Sequence, residues 1–374
     1  MDSVLKEIEK LTGKVFHEVM TGQSYEGRQI HVLRCGTGRT KVLAWSQMHG
    51  NEPTSTLALL DAMQMLSDGG REAEEILSAV TLTVIPLLNP DGATRYDRRN
   101  AQGIDINRDA QSLTSPEARL LMSAWEGAKP DFALNLHDQE TRFTSINPPV
   151  QSLLAMLAPE CSHDKRITPA RERAMKVIAG TASRLSDIAS GRIAKYDDVY
   201  TPTAFGDTFM QLGTSSILIE AGSEPGDPKR NKPRAAMSKA IVTALSLIAS
   251  GSYENYDVQE YENLPLNRDF DGYALIIKGV SITDACGSFK TDIGISLVKP
   301  TCNPEDFADD FDDFRVLNIG DLSGAKAIRT VDMQGHQLCG NHRDLYIGRK
   351  ADFAISAPDG TAINVSSLLK SNQH

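Results

Sequence analysis

Cysteine is scarce in this chain of 374 residues, and the five present are scattered: Cys35, Cys161, Cys286, Cys302 and Cys339. Their number is odd and no two stand in a CxxC pair, so neither a disulfide framework nor a thiolate metal site is indicated. Long apolar runs are missing too. Nothing approaches the roughly 18 consecutive apolar residues of a membrane span. The opening MDSVLKEIEK is a charged amphipathic helix pattern rather than a secretory leader. A reducing cytoplasm is the expected setting. Positive charge is also in deficit, with a net charge of -10. No surplus of Lys and Arg is available to displace counterions from a phosphate backbone, which argues against nucleic acid as a partner.

What is present is ordinary for a globular protein, 40% apolar and 24% charged. The length exceeds one compact core, and the pattern predicts a large domain over 1–255 and a smaller one over 265–374. In the first, apolar runs at 41–47, 81–88, 132–136 and 216–219 alternate with helix-spaced stretches at 54–66, 116–125, 169–188 and 237–248. That alternation predicts an α/β fold, a mostly parallel central sheet with helices on both faces. Residues 251–264 are polar, carry Tyr253, Tyr256 and Tyr261, and read as a linker. Beyond them, short strand patterns at 274–280, 293–298, 327–332 and 352–356 predict a small all-β domain. The acidic run 305–313 lacks the glycine and closing glutamate of a calcium loop, and a solvated loop is expected there.

Each of the four apolar runs delivers a polar residue at its end. In open α/β sheets, ligands bind outside the carboxyl ends of the strands. The first run leads into His49-Gly50-Asn51-Glu52-Pro53, the second into Asn89-Pro90-Asp91-Gly92, the third into His137 and the fourth into Glu220. His49 and Glu52 form an HxxE pair, as do His137 and Glu140. Taken singly, each histidine reads as a hydrogen-bonded loop residue. Taken together, two histidines and a glutamate at strand ends match the three protein ligands of a catalytic zinc. The other six histidines (His17, His31, His163, His336, His342 and His374) lie in polar or terminal surroundings and read as surface groups. The stretch 98–109 adds Arg98, Arg99, Asn107 and Arg108 close by, groups suited to holding a carboxylate or an oxyanion.

These motifs, in this order, resemble the zinc carboxypeptidase family of M14 type over about residues 40–225: His49-Gly50-Asn51-Glu52, Asn89-Pro90-Asp91-Gly92, Asp105-Ile106-Asn107-Arg108, the strand ending in His137, and Ile219-Glu220-Ala221-Gly222. The resemblance implies one zinc per chain held by His49, Glu52 and His137. It implies that Asp105 supports the first histidine and that Asn107 and Arg108 hold the substrate's terminal carboxylate. Arg98, with Arg99 as the adjacent fallback, would polarise the scissile carbonyl, and Glu220 would be the general base. Glu224 is a nearby competitor for that last role. For the family's substrate-capping tyrosine, Tyr196 and Tyr200 both qualify. The implied activity is a metallocarboxypeptidase hydrolysing the carboxyl-terminal amide bond of a peptide or peptide-like substrate.

Two further readings stand beside it. Desuccinylase and aspartoacylase relatives use similar zinc sites and an Asn-Arg pair, which would make the chain an amidase of small N-acyl amino acids. A carboxylate-binding module without activity is the other. Separately, Leu275–Asp284 and Ile347–Ile355 loosely resemble the opening and closing strands of the small β-sandwich of amidohydrolases. Only about a hundred residues separate them, so a sandwich without its barrel is implied.

Overall fold

A computed structural model describes residues 2–139, 143–145, 150–189, 191–197, 199–224, 227, 229–269, 272–284, 287–297, 314–340 and 344–370. The acidic run 305–313, Glu140, Cys286, Cys302, His342 and His374 lie outside the described residues. The chain forms two compact units. The first comprises 1–140, 152–223 and 230–267, the second 141–151, 224–229 and 268–374.

The first unit is built on strands buried on both faces, and their sequences are continuous apolar runs for that reason. Phe132–Asp138 is buried at every position. From one edge inward the strand order is His17–Gln23, Gln29–Cys35, Val80–Ile85, Thr40–Ser46, Phe132–Asp138, Ser215–Ala221, Leu154–Leu157 and Ile193–Tyr196, followed by Leu266 and Asn267. Thr40–Ser46 runs parallel to both of its neighbours, and Phe132–Asp138 runs parallel to Ser215–Ala221. Alternate residues divide between two cores. Val42, Ala44 and Leu134 pack with residues of helices Asp2–Leu11, Pro53–Asp68, Pro169–Arg184 and Asn231–Ser250. Leu43, Trp45 and Ala133 pack with residues of Pro116–Ala128 and Phe205–Gln211. The expected α/β architecture with helices on both faces is present.

Several boundaries differ from the sequence expectation. His137 and Glu220 lie inside their strands, because parallel pairing continues through them with His137 opposite Glu220. The second strand stops at Ile85, before Pro86, which has no N–H to give to a ladder. Asn89-Pro90-Asp91-Gly92, expected as a turn, opens the short helix Pro90–Arg95. Asn89 caps it by accepting the Gly92 N–H at 2.8 Å, with Pro90 in the first turn. The long helix predicted over 169–188 is two, Pro169–Arg184 and Ser186–Ala189. The supposed linker is folded. It holds helix Val258–Glu262, and Tyr261 is fully buried in the first unit's core, its hydroxyl accepting the Ala158 N–H at 3.3 Å. Polarity misled here because a tyrosine buries its ring while keeping one polar partner.

The second unit is β-rich. Seven of its described strands form one hydrogen-bonded sheet. The long strand Tyr273–Asp284 pairs antiparallel with Gly287–Leu297 and parallel with Ala327–Asp332 and Gln337–Leu338. Its pairing shifts between Ile277 and Val280, where Gly279 has φ +69 and a Cβ would meet Gln334 Cγ at 2.7 Å. That bulge lets one strand serve several neighbours. Leu275, Ile277, Val280, Phe353 and Ile355 share a single apolar cluster, as their alternation predicted. Among the described residues, no helix is long and apolar enough to cross a membrane.

Candidate metal centre

The approach to the site is set by backbone packing. After strand Thr40–Ser46 the chain turns at Gly50, where a Cβ would stand 2.0 Å from the carbonyl carbon of Gly92. Only glycine permits that contact. Asn89 ties the same two segments together, its Nδ2 donating to Met48 O at 3.1 Å. Asp91 is buried and accepts from Ser24 Oγ at 2.7 Å and from the Glu26 N–H at 3.0 Å. The Asn-Pro-Asp-Gly motif is thus scaffolding for the His49 turn.

Helix Pro53–Asp68 begins directly after Glu52. Its exposed N–H groups are met by a carboxylate from another strand: Asp138 accepts from Thr54 N and Ser55 N, both at 2.7 Å. Burial pushes the Asp138 carboxyl up to about 6, against the opposing influence of Arg230. Strand Phe132–Asp138 therefore supplies His137 to the site and a cap to the helix that carries the Glu52 turn. Neither HxxE spacing nor strand periodicity reveals that second task.

The three expected ligands converge. Glu52 Oε1 lies 2.8 Å from His49 Nδ1, Glu52 Oε2 lies 2.8 Å from His137 Nδ1, and the two Nδ1 atoms are 3.1 Å apart. All three side chains are buried, and their ligand atoms lie within 4.8 Å of one another. Two imidazoles and a carboxylate so arranged are the donor set of a catalytic zinc, and the residues fit that ion. On its far side, His49 Nε2 is 3.1 Å from Asp105 Oδ1, an orienting contact that fixes the ring. Electrostatics bind the group together. Burial opposes charge on His49, but Glu52 and Asp105 outweigh it and push the imidazole up to about 9. Burial likewise works against Glu52 and Asp105, yet the histidines, and at Asp105 also Arg98, hold both carboxyls below their usual range. His137, more deeply enclosed, is lowered by burial.

Arg98 points into this cluster. Its Nε donates to Asp105 Oδ2 at 3.1 Å, and its Nη1 lies 3.4 Å from Glu52 Oε1. Arg99 turns away to the Gly103 carbonyl at 3.1 Å. Glu220, opposite His137 in the sheet, is pushed up to about 8 by burial and by the negative charge of Glu52. The two candidate tyrosines have different surroundings. Tyr196 is hydrogen-bonded with Glu220, and its hydroxyl lies 2.9 Å from Gln139 Oε1. Tyr200 packs against His163 and bonds Gln211 at 3.4 Å. Gln139, Asn267 and Ser152 continue a buried chain behind Tyr196, with Asn267 Nδ2 to Gln139 Oε1 and Ser152 Oγ to Asn267 Oδ1 both at 2.7 Å. No sequence signal pointed to those three. Asn107 uses its Oδ1 to accept the Phe205 N–H at 3.1 Å, and exposed Arg108 bonds the Asn107 carbonyl at 2.6 Å. Glu224 falls in the second unit. His336 lies in that unit too, bonded to the Gln334 carbonyl.

The family model for zinc carboxypeptidases, Peptidase_M14, matches residues 1–141. Over these residues the chain is similar to zinc carboxypeptidases. A probable carboxypeptidase 2 from Trichophyton verrucosum is 24% identical over 208 residues, 54% of this chain and 37% of the relative. Carboxypeptidase E from Caenorhabditis elegans is 29% identical over 138 residues, 31% of this chain and 29% of its own. The chain thus spans little more than a third of the curated relatives it matches. Among solved structures, a metallo-carboxypeptidase from Pseudomonas aeruginosa superposes with TM-score 0.55 at 19% identity, covering 66% of this chain and 68% of that one. One from Burkholderia cenocepacia gives 0.50 at 18% identity, covering 65% and 67%. These structures establish the zinc carboxypeptidase fold of the first unit.

Proposed function

We propose that this protein is a zinc-dependent metallocarboxypeptidase that removes the last residue from a peptide or peptide-like substrate with a free carboxylate. The observation that carries the reading is the convergence of His49, Glu52 and His137 with Arg98 aimed at the same point and Glu220 in register beside His137. Zinc, held by those three ligands, supplies Lewis acidity for activating water and polarising the scissile carbonyl.

The chain's own groups do the rest. Glu220 takes the proton of the attacking water and returns it to the leaving amine. A carboxyl whose affinity for protons is raised toward neutrality suits both halves of that exchange. Tyr196 keeps Glu220 oriented. Arg98 donates to the oxygen on which negative charge develops, preorganised by its bond to Asp105. Arg108, with Asn107 anchoring its loop to Phe205, receives the terminal carboxylate and sets the cut one residue from the end.

The test separates base from scaffold. Glu220→Gln is expected to keep one zinc per chain and an unchanged melting temperature while losing most turnover, whereas Glu224→Gln stays active. An inactive Glu224→Gln beside an active Glu220→Gln overturns the assignment.

A further inference from the structure

A cavity of about 570 Å³ opens on the first unit at a place the proposed reaction does not use. Register fixes where it lies. Arg173, on helix Pro169–Arg184, lines it and donates from Nε to Ser215 Oγ at 3.0 Å. Ser215 pairs with Phe132 at the start of two central strands, whereas Glu220 pairs with His137 roughly 17 Å further along. Gly213, just before the strand, is part of the same lining. The cavity is therefore at the opposite end of these strands from the candidate zinc ligands.

Its charge is one-sided. The chain carries a net charge of -10, yet the lining holds Arg166, Arg173 and His163, and none of the lining residues is Asp or Glu. The acids close by in sequence face other cations. Glu160 pairs with Arg171 at 3.1 Å and Glu172 with Lys176 at 2.9 Å. Asp164 accepts from Ser162 Oγ and lies 3.9 Å from Arg166 Nε, with both side chains exposed. A surface pair of that length is worth little. A guanidinium has five N–H donors, and Ser215 takes one from Arg173.

The remaining walls are apolar or aromatic. Pro169, Ala170 and Met210 contribute, and Tyr200 meets the His163 ring edge-on with centroids 4.8 Å apart. Ile167 stands between Arg166 and Thr168 of the lining, and Leu212 between Gln211 and Gly213. They are 51% and 53% exposed. Singly such exposure is ordinary. Here both aliphatic side chains adjoin one cationic cavity.

We infer that this cavity binds a small organic anion, a carboxylate or phosphate head on an apolar body. Arg166, Arg173 and His163 receive the head, the arginines through the planar fork that suits such oxygens. Met210, Pro169, Ile167 and Leu212 cover the body, whose burial adds to affinity. The volume is within the ordinary range of small-molecule sites. This binding goes beyond the carboxypeptidase reading and does not depend on it.

The experiment is titration calorimetry on the full zinc-loaded chain with decanoate, decyl phosphate, decanol and inorganic phosphate, repeated after chelation. One decyl anion per chain is expected to bind at least about tenfold more tightly than decanol or inorganic phosphate, with or without zinc. Arg166→Gln and Arg173→Gln should each weaken it about tenfold. Arg166 lies on an exposed loop, so its variant carries the test where Arg173→Gln fails to fold. Four results overturn the inference: neither decyl anion binds; decanol binds as well, which leaves an apolar groove only; inorganic phosphate binds as well, which leaves an adventitious ion only; or the folded arginine variants keep full affinity. Binding that disappears on chelation also overturns it, because the anion then sits on zinc.

Discussion

Asp105, partly buried, and Asp138, buried, are acids beside the candidate zinc ligands, and they do different work. Asp105 holds His49 by its outer nitrogen, while Asp138 meets two backbone N–H groups of helix Pro53–Asp68. Asp105→Asn is therefore expected to weaken zinc retention about 10- to 100-fold with little change in melting temperature, read by competition with a chelator. Arg98→Ala should lower kcat/KM by about 10²–10³, and Arg99→Ala should leave it nearly unchanged. Equal losses in the two arginine variants would contradict the placement of Arg98. The residue scale is where the sequence was most legible for the ligands and least for their supporters. HxxE and strand position mark His49 and Glu52 because a metal needs particular donor atoms at close spacing. Spacing alone left Arg98 beside Arg99 and Tyr196 beside Tyr200, since adjacent or near-adjacent residues differ only in where the backbone points them. Gln139, Asn267 and Ser152 were invisible because their partners are 13 to 128 residues away in the chain.

At the scale of elements, the site depends on two turns pressed together. Gly50→Ala would drive a Cβ to 2.0 Å from Gly92. We expect loss of zinc binding together with a lowered melting temperature, seen by elemental analysis and calorimetry. Unchanged zinc content would mean that the His49 turn tolerates what the packing forbids. The strands themselves were readable as apolar runs because both faces of the sheet are covered. Their ends were not. Prediction stopped strands at the first polar residue, yet His137 and Glu220 continue the ladder, because pairing is a backbone property that polar side chains facing a site do not interrupt. Asn89-Pro90-Asp91-Gly92 has turn composition and also N-cap composition, and the packing against Gly50 selects the helix.

At the scale of the whole molecule, composition suggested a boundary near residue 255, but the first unit extends to 267. Tyr261 explains the difference: its ring is fully buried in the first core, with the Lys195 ammonium 5.0 Å from the ring centroid. Tyr261→Ala should destabilise the first unit by about 3–5 kcal/mol, as for other large buried rings, measurable by urea denaturation followed through zinc loss. A change under about 0.5 kcal/mol, the range of an exposed site, would restore the linker reading. The measurement that bears most directly on the central claim follows peptide length by mass spectrometry. A peptide with a free carboxyl terminus and the same peptide amidated are incubated with native, chelated and zinc-restored protein. A zinc carboxypeptidase shortens the free-acid peptide by one residue, leaves the amide intact, stops on chelation and recovers when zinc returns. Equal cleavage of the amide, or activity that persists after all zinc is removed, would contradict it.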